Sequence, residues 1–184
     1  MPAIETYPSP SPWVERHAHL VPAGARLLDI AAGRGRHSRL FASRSAQVVA
    51  VDRDAAALAA LEGVPGVRTL VADLEAGPWP FADRSFDAIV VTHYLHRPLI
   101  DTLVAALAPD GALIYETFAA GNERYGRPSK PDFLLAPGEL LEGVRGRLTV
   151  VAFEQGEIRS PRPAVVQRIA AVGMARAWPP PLSR

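Results

Sequence analysis

The sequence predicts an α/β fold: a doubly wound, mainly parallel, seven-stranded sheet that ends in an antiparallel hairpin. Three observations predict it. Short apolar runs alternate with segments of helical spacing through the first two thirds of the chain, the pattern of strands joined by crossover helices. One run, Phe86 to Val91, is continuously apolar apart from Asp87, as expected of a strand covered on both faces. The run before Ala31-Ala32-Gly33-Arg34-Gly35 breaks into a glycine turn that opens a helix, and glycine there lets backbone approach a ligand closely.

In order, Pro8, Pro10 and Pro12 make the start irregular. Trp13 to Leu20 reads as a short helix with Ser11 as its cap and Pro12 at its first position, where a missing N–H does no harm. Pro22-Ala23-Gly24 is a turn, and Arg26 to Ala31 is the first strand. Arg36 to Ser45 is a helix, and Gln47 to Val51 the second strand. Asp54 caps an alanine- and leucine-rich helix that runs to about Leu61. Gly63 to Gly66 is a turn before the third strand, Val67 to Val71. Pro78 and Pro80 interrupt the chain ahead of the fourth strand. Pro98 to Ala108 is helical, Pro109-Asp110-Gly111 turns, and Ala112 to Phe118 is the fifth strand. A polar loop runs from Ala119 to Pro131, and Pro137 to Val144 is a short helix. Leu148 to Phe153 and Ala164 to Val172 are the last two strands. No helix separates them, so they form the hairpin.

Composition narrows the function classes. The 184 residues suit one domain with a sizeable core. The net charge of +1 argues against a broad nucleic-acid footprint. There is no cysteine, which removes disulfides, thiolate metal sites and a cysteine nucleophile. No metal site is expected. No secretory signal or run of roughly 20 apolar residues is visible, so the expected location is the cytoplasm.

In a doubly wound sheet the ligand sits beyond the carboxyl ends of the strands. The informative residues are therefore those that follow strands: Asp29 to Gly35, Asp52, Asp73, Thr92 to Arg97, and Glu116 onward. A dinucleotide site needs a third glycine for close helix–strand packing; here that place holds Ser38. Asp29 precedes Gly33 by four residues, and a carboxylate there suits a cationic amino group better than pyrophosphate. Asp52, 19 residues after Gly33, is placed to accept from ribose hydroxyls. Asp73 is placed to accept from an exocyclic amine, with Leu74 packing near the ring. Three strand-end carboxylates describe S-adenosyl-L-methionine better than a nicotinamide dinucleotide. A nicotinamide-dependent reductase remains the competing enzyme class, but it lacks a Tyr-x-x-x-Lys pair; Tyr125 and Lys130 are spaced one residue too far apart. A non-catalytic S-adenosylmethionine-binding module is the third reading.

On these residues the chain resembles the class I S-adenosylmethionine-dependent methyltransferases. Leu28-Asp29-Ile30-Ala31-Ala32-Gly33-Arg34-Gly35 resembles their motif I, Val49-Ala50-Val51-Asp52-Arg53 their ribose-binding strand end, and Val71-Ala72-Asp73-Leu74 their adenine-contacting turn. Phe86 to Thr92 resembles the fourth strand, and Leu107 to Ile114 the turn into the fifth. The resemblance covers residues 24–118 in detail and implies a Rossmann-like domain over residues 23–175, with a lid-like N-terminal extension over 1–22 and a tail over 176–184. It implies cofactor contacts at Asp29, Ala31, Gly33, Gly35, Arg36, Asp52, Arg53, Ala72, Asp73, Leu74 and Thr92. Within the superfamily the chain is most similar to the small bacterial enzymes related to the tellurite-resistance methyltransferase, through Gly33-Arg34-Gly35-Arg36-His37-Ser38 and Pro137-Gly138-Glu139-Leu140.

The resemblance places the transferred methyl beside Thr92-His93-Tyr94-Leu95-His96-Arg97-Pro98. His93, Tyr94 and His96 are the candidate bases, with Glu116 a further one if it faces the site. His37 reads as structural or exposed. The family's Asn/Asp-Pro-Pro-aromatic signature is absent, which weighs against methylation of an amide or an adenine amine. Arg97, Arg124 and Tyr125 are candidate acceptor contacts, as is Trp13, with Arg16 beside it, from the N-terminal side. The segment Gly121 to Pro131 holds three cations among four charged side chains; as a lid it favours an anionic group. The expected partner is a small-molecule acceptor, with no nucleic acid or membrane, in a monomer or dimer.

Overall fold

The computed structural model describes residues 8–82 and 84–182. The first seven residues of the expected extension and the last two of the tail lie outside the described residues. The elements are α1 (Pro12–His17), β1 (Arg26–Ile30), α2 (Arg36–Ser43), β2 (Gln47–Asp52), α3 (Ala55–Leu58), β3 (Val67–Val71), β4 (Phe86–Thr92), α4 (Arg97–Ala105), β5 (Leu107–Phe118), α5 (Glu139–Val144), β6 (Leu148–Ile158) and β7 (Ala164–Gly173). They build one seven-stranded sheet in the order β3-β2-β1-β4-β5-β7-β6. The first five strands pair in parallel, and β7 runs antiparallel to both β5 and β6. The expected hairpin is present, and its second strand is the one that joins the parallel sheet.

Alternation along the strands sends neighbouring side chains to opposite faces. On one face Leu27, Val48, Val90 and Ile114 pack with Trp13 of α1 and Phe41 of α2. On the other, Leu28, Ile89 and Tyr115 pack with Leu103 of α4 and Leu140 of α5. The segment between β3 and β4, held out of helix by its prolines, covers this second face instead. Its Phe81 is buried and meets Trp79 and Phe86 edge-on at 5.1 and 5.3 Å.

Some boundaries move for reasons of pairing. The fourth helix ends at Ala105 rather than Ala108, because the chain from Leu107 already pairs with the start of β4. Phe86 N–H donates to Ala106 O at 2.8 Å there. The sixth strand runs five residues past Phe153, through Glu154, Gln155, Gly156 and Glu157. It is an edge strand, so its polar residues face solvent and hide the strand from a search for apolar alternation.

The sheet's switch point lies between β1 and β4, where connections leave in opposite directions. A crevice opens at such a point beyond the strand ends.

Candidate active site

The glycine turn begins where β1 ends. Ala31, Gly33 and Gly35 all take positive φ, at 52°, 55° and 76°. Gly35 is required by packing, since a Cβ there would stand 2.3 Å from Leu61. At Gly33 a Cβ would meet nothing within 4 Å, so only its backbone conformation favours glycine. Asp52 braces the turn: its Oδ2 accepts from Gly33 N–H at 2.8 Å, and its Oδ1 from Asp54 N–H at 2.9 Å. Beneath the turn Asp29 is buried. Its Oδ2 accepts from Ser38 Oγ at 2.6 Å, while its Oδ1 has no hydrogen-bond partner among the described residues. Burial pushes the Asp29 carboxyl up to about 6, against the opposing effects of Ser38 and the Arg36 charge.

A cleft of about 290 Å³ opens beyond these strand ends. Six residues expected at the cofactor line it: Ala31, Asp52, Arg53, Ala72, Asp73 and Leu74. Asp73 Oδ1 accepts from the Glu75 and Ala76 N–H groups at 2.9 and 3.2 Å, and these bonds hold its carboxyl below the usual range. Asp29, Gly33 and Gly35 form the turn and the layer beneath it. Thr92 is buried and its Oγ1 lies 3.3 Å from His37 Nδ1. Arg36 faces a different space, a second cavity of about 420 Å³ between the N-terminal segment, β5 and the β6–β7 hairpin.

His93 and Phe118 belong to the walls of both cavities. Their rings stack at 5.0 Å. His93 holds φ 55° without being glycine, a strained conformation of the kind that clusters at functional sites. Burial and then the Arg36 charge lower its pKa, so its imidazole is neutral at pH 7. Tyr94 lines the first cleft, and burial followed by the nearby Glu75 carboxylate pushes its phenol well above its ordinary value. It therefore stays protonated. His96 stands at the N-cap of α4, away from both walls.

Glu116 does not hang free as a base. Its Oε1 accepts from Ser11 Oγ at 2.7 Å, and its Oε2 lies 2.5 Å from Arg168 Nε. Glu116, Arg168 and Glu154 are register partners across β5, β7 and β6, and Arg16 continues the row by donating to Glu154 at 2.9 Å. None of the expected acceptor contacts lines either of these two cavities. Trp13, 1% exposed, is packed in the core, and its indole N–H points to Ile169 O at 3.4 Å. Arg97 is held by both oxygens of Glu139 (2.6 and 3.0 Å) and by the carbonyls of Asp132 and Leu134. That grip fixes the stretch carrying Phe133, which does line the first cleft. Arg124 donates to Gly121 O and stacks over the exposed Tyr125, on the rim beside β6.

Phe118, Arg162 and Arg168 escape sequence reasoning, and of the two readings of His37 the structure takes the structural one: it is buried. His37 Nε2 accepts from Ser11 N–H at 3.1 Å, so its proton sits on Nδ1, facing Thr92. Burial lowers its pKa to about 3. Arg162 lies in a Ser-Pro-Arg-Pro turn that reads as an ordinary loop.

Comparison with known proteins agrees with this architecture. A family described as "Methyltransferase domain" matches residues 27–111. A demethylmenaquinone methyltransferase of Clavibacter sepedonicus is 36% identical over 106 residues, 53% of this chain and 42% of the relative. A trans-aconitate 2-methyltransferase of Variovorax paradoxus is 37% identical over 101 residues, 50% of this chain and 38% of the relative. The chain thus spans about two fifths of the length of these curated relatives. The crystal structure of TehB from Haemophilus influenzae superposes with a TM-score of 0.71 at 18% identity, covering 88% of this chain and 61% of TehB. With the glycine turn, the strand-end carboxylates and the sheet order all in place, residues 27–111 match a methyltransferase domain, and the chain is similar to the class I S-adenosylmethionine-dependent methyltransferases.

Proposed function

We propose that the chain binds S-adenosyl-L-methionine in the 290 Å³ cleft and transfers its methyl group to a small-molecule acceptor, with S-adenosyl-L-homocysteine as the product. The observation that carries this reading is the set of strand-end carboxylates: Asp52 and Asp73 line the cleft, and Asp29 lies buried under the glycine turn beside it. The charge of Asp29 under the turn suits an ammonium-bearing tail and would repel pyrophosphate. Asp52 keeps acceptor capacity for ribose hydroxyls beyond its two bonds to the chain. Asp73 uses Oδ1 for its turn, which leaves Oδ2 for an adenine amine, with Ala72 and Leu74 beside it. The curated relatives are named for demethylmenaquinone and trans-aconitate, both small molecules.

Bound there, the cofactor supplies a methyl already activated by its sulfonium, so the protein's share is alignment and exclusion of water. Leu95, Phe118 and Phe133 close the cleft with apolar surface. His93, neutral and shared by both cavities, is the group placed to take a proton from an acceptor hydroxyl. Tyr94 serves as a donor instead, because its phenol holds its proton.

Calorimetric titration with S-adenosylhomocysteine tests the reading. Saturable heat with a Kd on the order of micromolar is expected, and none with NADPH. No heat with S-adenosylhomocysteine sinks it. Release of S-adenosylhomocysteine from S-adenosylmethionine on adding acceptors separates an enzyme from a binding module.

A further inference from the structure

We infer that the 420 Å³ cavity receives the methyl acceptor, and that the acceptor is a small molecule with an apolar body and one carboxylate. This rests on the methyl-donor reading of the neighbouring cleft. The two spaces share His93 and Phe118, so a ligand in the second lies next to the donor's side of that wall. The volume falls within the range of small-molecule pockets.

The walls specify the chemistry. Phe118, Ile158, Pro161, Ala164 and Val166 offer apolar surface to a ring or short chain. Three guanidinium groups, Arg36, Arg162 and Arg168, face the same space with a single carboxylate, Glu116. Arg168 is matched by Glu116 and Glu154. Neither Arg36 nor Arg162 has an ion-pair partner among the described residues. Arg36 is half-buried, and its contacts are long: 3.4 Å to Ser9 O and 3.5 Å to His93 Nδ1. Bonds of that length do little to offset the lost hydration of a guanidinium. A ligand carboxylate would supply the missing partner in the planar, forked geometry that arginine prefers. Glu116 on the same wall is spent on Arg168, so Arg36 and Arg162 are the cations left for the ligand's anionic group.

The test is calorimetry on the full chain saturated with S-adenosylhomocysteine, with 1-naphthoate, 1-naphthamide and 1-naphthyl phosphate as probes. Naphthoate is expected to bind at least about tenfold more tightly than the neutral amide, a difference of about 1.4 kcal/mol, and more tightly than the phosphate. Arg162→Gln, a change in an exposed turn, should bring naphthoate to within about threefold of the amide while S-adenosylhomocysteine still binds as in the parent. No preference for naphthoate over the amide, a preference for the phosphate, or indifference to Arg162→Gln overturns the inference and leaves the donor site standing. Loss of S-adenosylhomocysteine binding in the parent chain would overturn the donor site itself, and this inference with it.

Discussion

Burial holds the Asp29 carboxyl near 6, and two consequences of opposite sign follow. Its folded pKa lies above its unfolded value of 3.8, so its favourable contribution is fully present below 3.8 and is lost as pH rises through about 6. At pH 7 the buried anion lowers stability by up to about 3 kcal/mol. The same anion is the form that an ammonium would seek, so affinity for S-adenosylhomocysteine should fall below about pH 6. Asp29→Asn is therefore expected to raise the unfolding midpoint at pH 7, weaken that affinity by about tenfold and flatten its pH dependence. A variant that binds as tightly as the parent removes Asp29 from the cofactor's contacts. The two turn glycines separate in a similar way. Gly35→Ala should lower stability by about 2 kcal/mol or more, from strain and the clash with Leu61, against about 1 kcal/mol for Gly33→Ala. Urea denaturation of both decides it, and equal losses would contradict the packing role of Gly35. The need for glycine was legible in the sequence, but the two different reasons for it were not.

Among the elements, α1 shows how a local signal acquires a distant role. Ser11 caps it through a bond from Trp13 N–H, as its position before Pro12 predicts. The same serine reaches Glu116 on β5 and, through its own N–H, His37 on α2. His37 thus ties the N-terminal segment to Thr92 at the end of β4. Its folded pKa of about 3 lies below the unfolded 6.5, so its neutral form stabilises the fold above pH 6.5. That contribution is lost as pH falls towards 3. His37→Gln preserves an acceptor and removes the titration. Between pH 6.5 and 4 the parent should lose stability more steeply than the variant, by up to about 1.4 kcal/mol per pH unit. Matching slopes in urea midpoints against pH would mean that His37 is not held neutral. At the other end of the sheet, Gln167 of β7 is fully buried; it accepts from Leu140 N–H at 2.6 Å and donates to Ala136 O at 3.0 Å. It docks α5 on the sheet. Nothing in the mainly apolar run of β7 announces such a polar anchor.

At the scale of the molecule, helices on both faces leave the carboxyl ends of the parallel strands as the open rim, and both cavities lie there. A ligand that binds only the folded chain at a hundred times its Kd adds about 2.7 kcal/mol. For a chain of this size that corresponds to a rise in Tm of roughly 5–10 °C with S-adenosylhomocysteine. A melting curve unmoved by saturating ligand would count against the cleft as its site. By itself the sequence determined the order of elements, the glycine turn and the carboxylates after the first three strands. These depend on local dihedral demands and on the periods of helix and strand, which adjacent residues carry. Only the tertiary structure decided that Trp13 belongs to the core and that Arg97 is spent on Glu139. It alone joined Glu116 to Arg168 and brought Arg36 and Arg162 to one cavity with His93 in its wall. Those facts follow from strand register and from the packing of segments distant in the chain, and no local pattern encodes either.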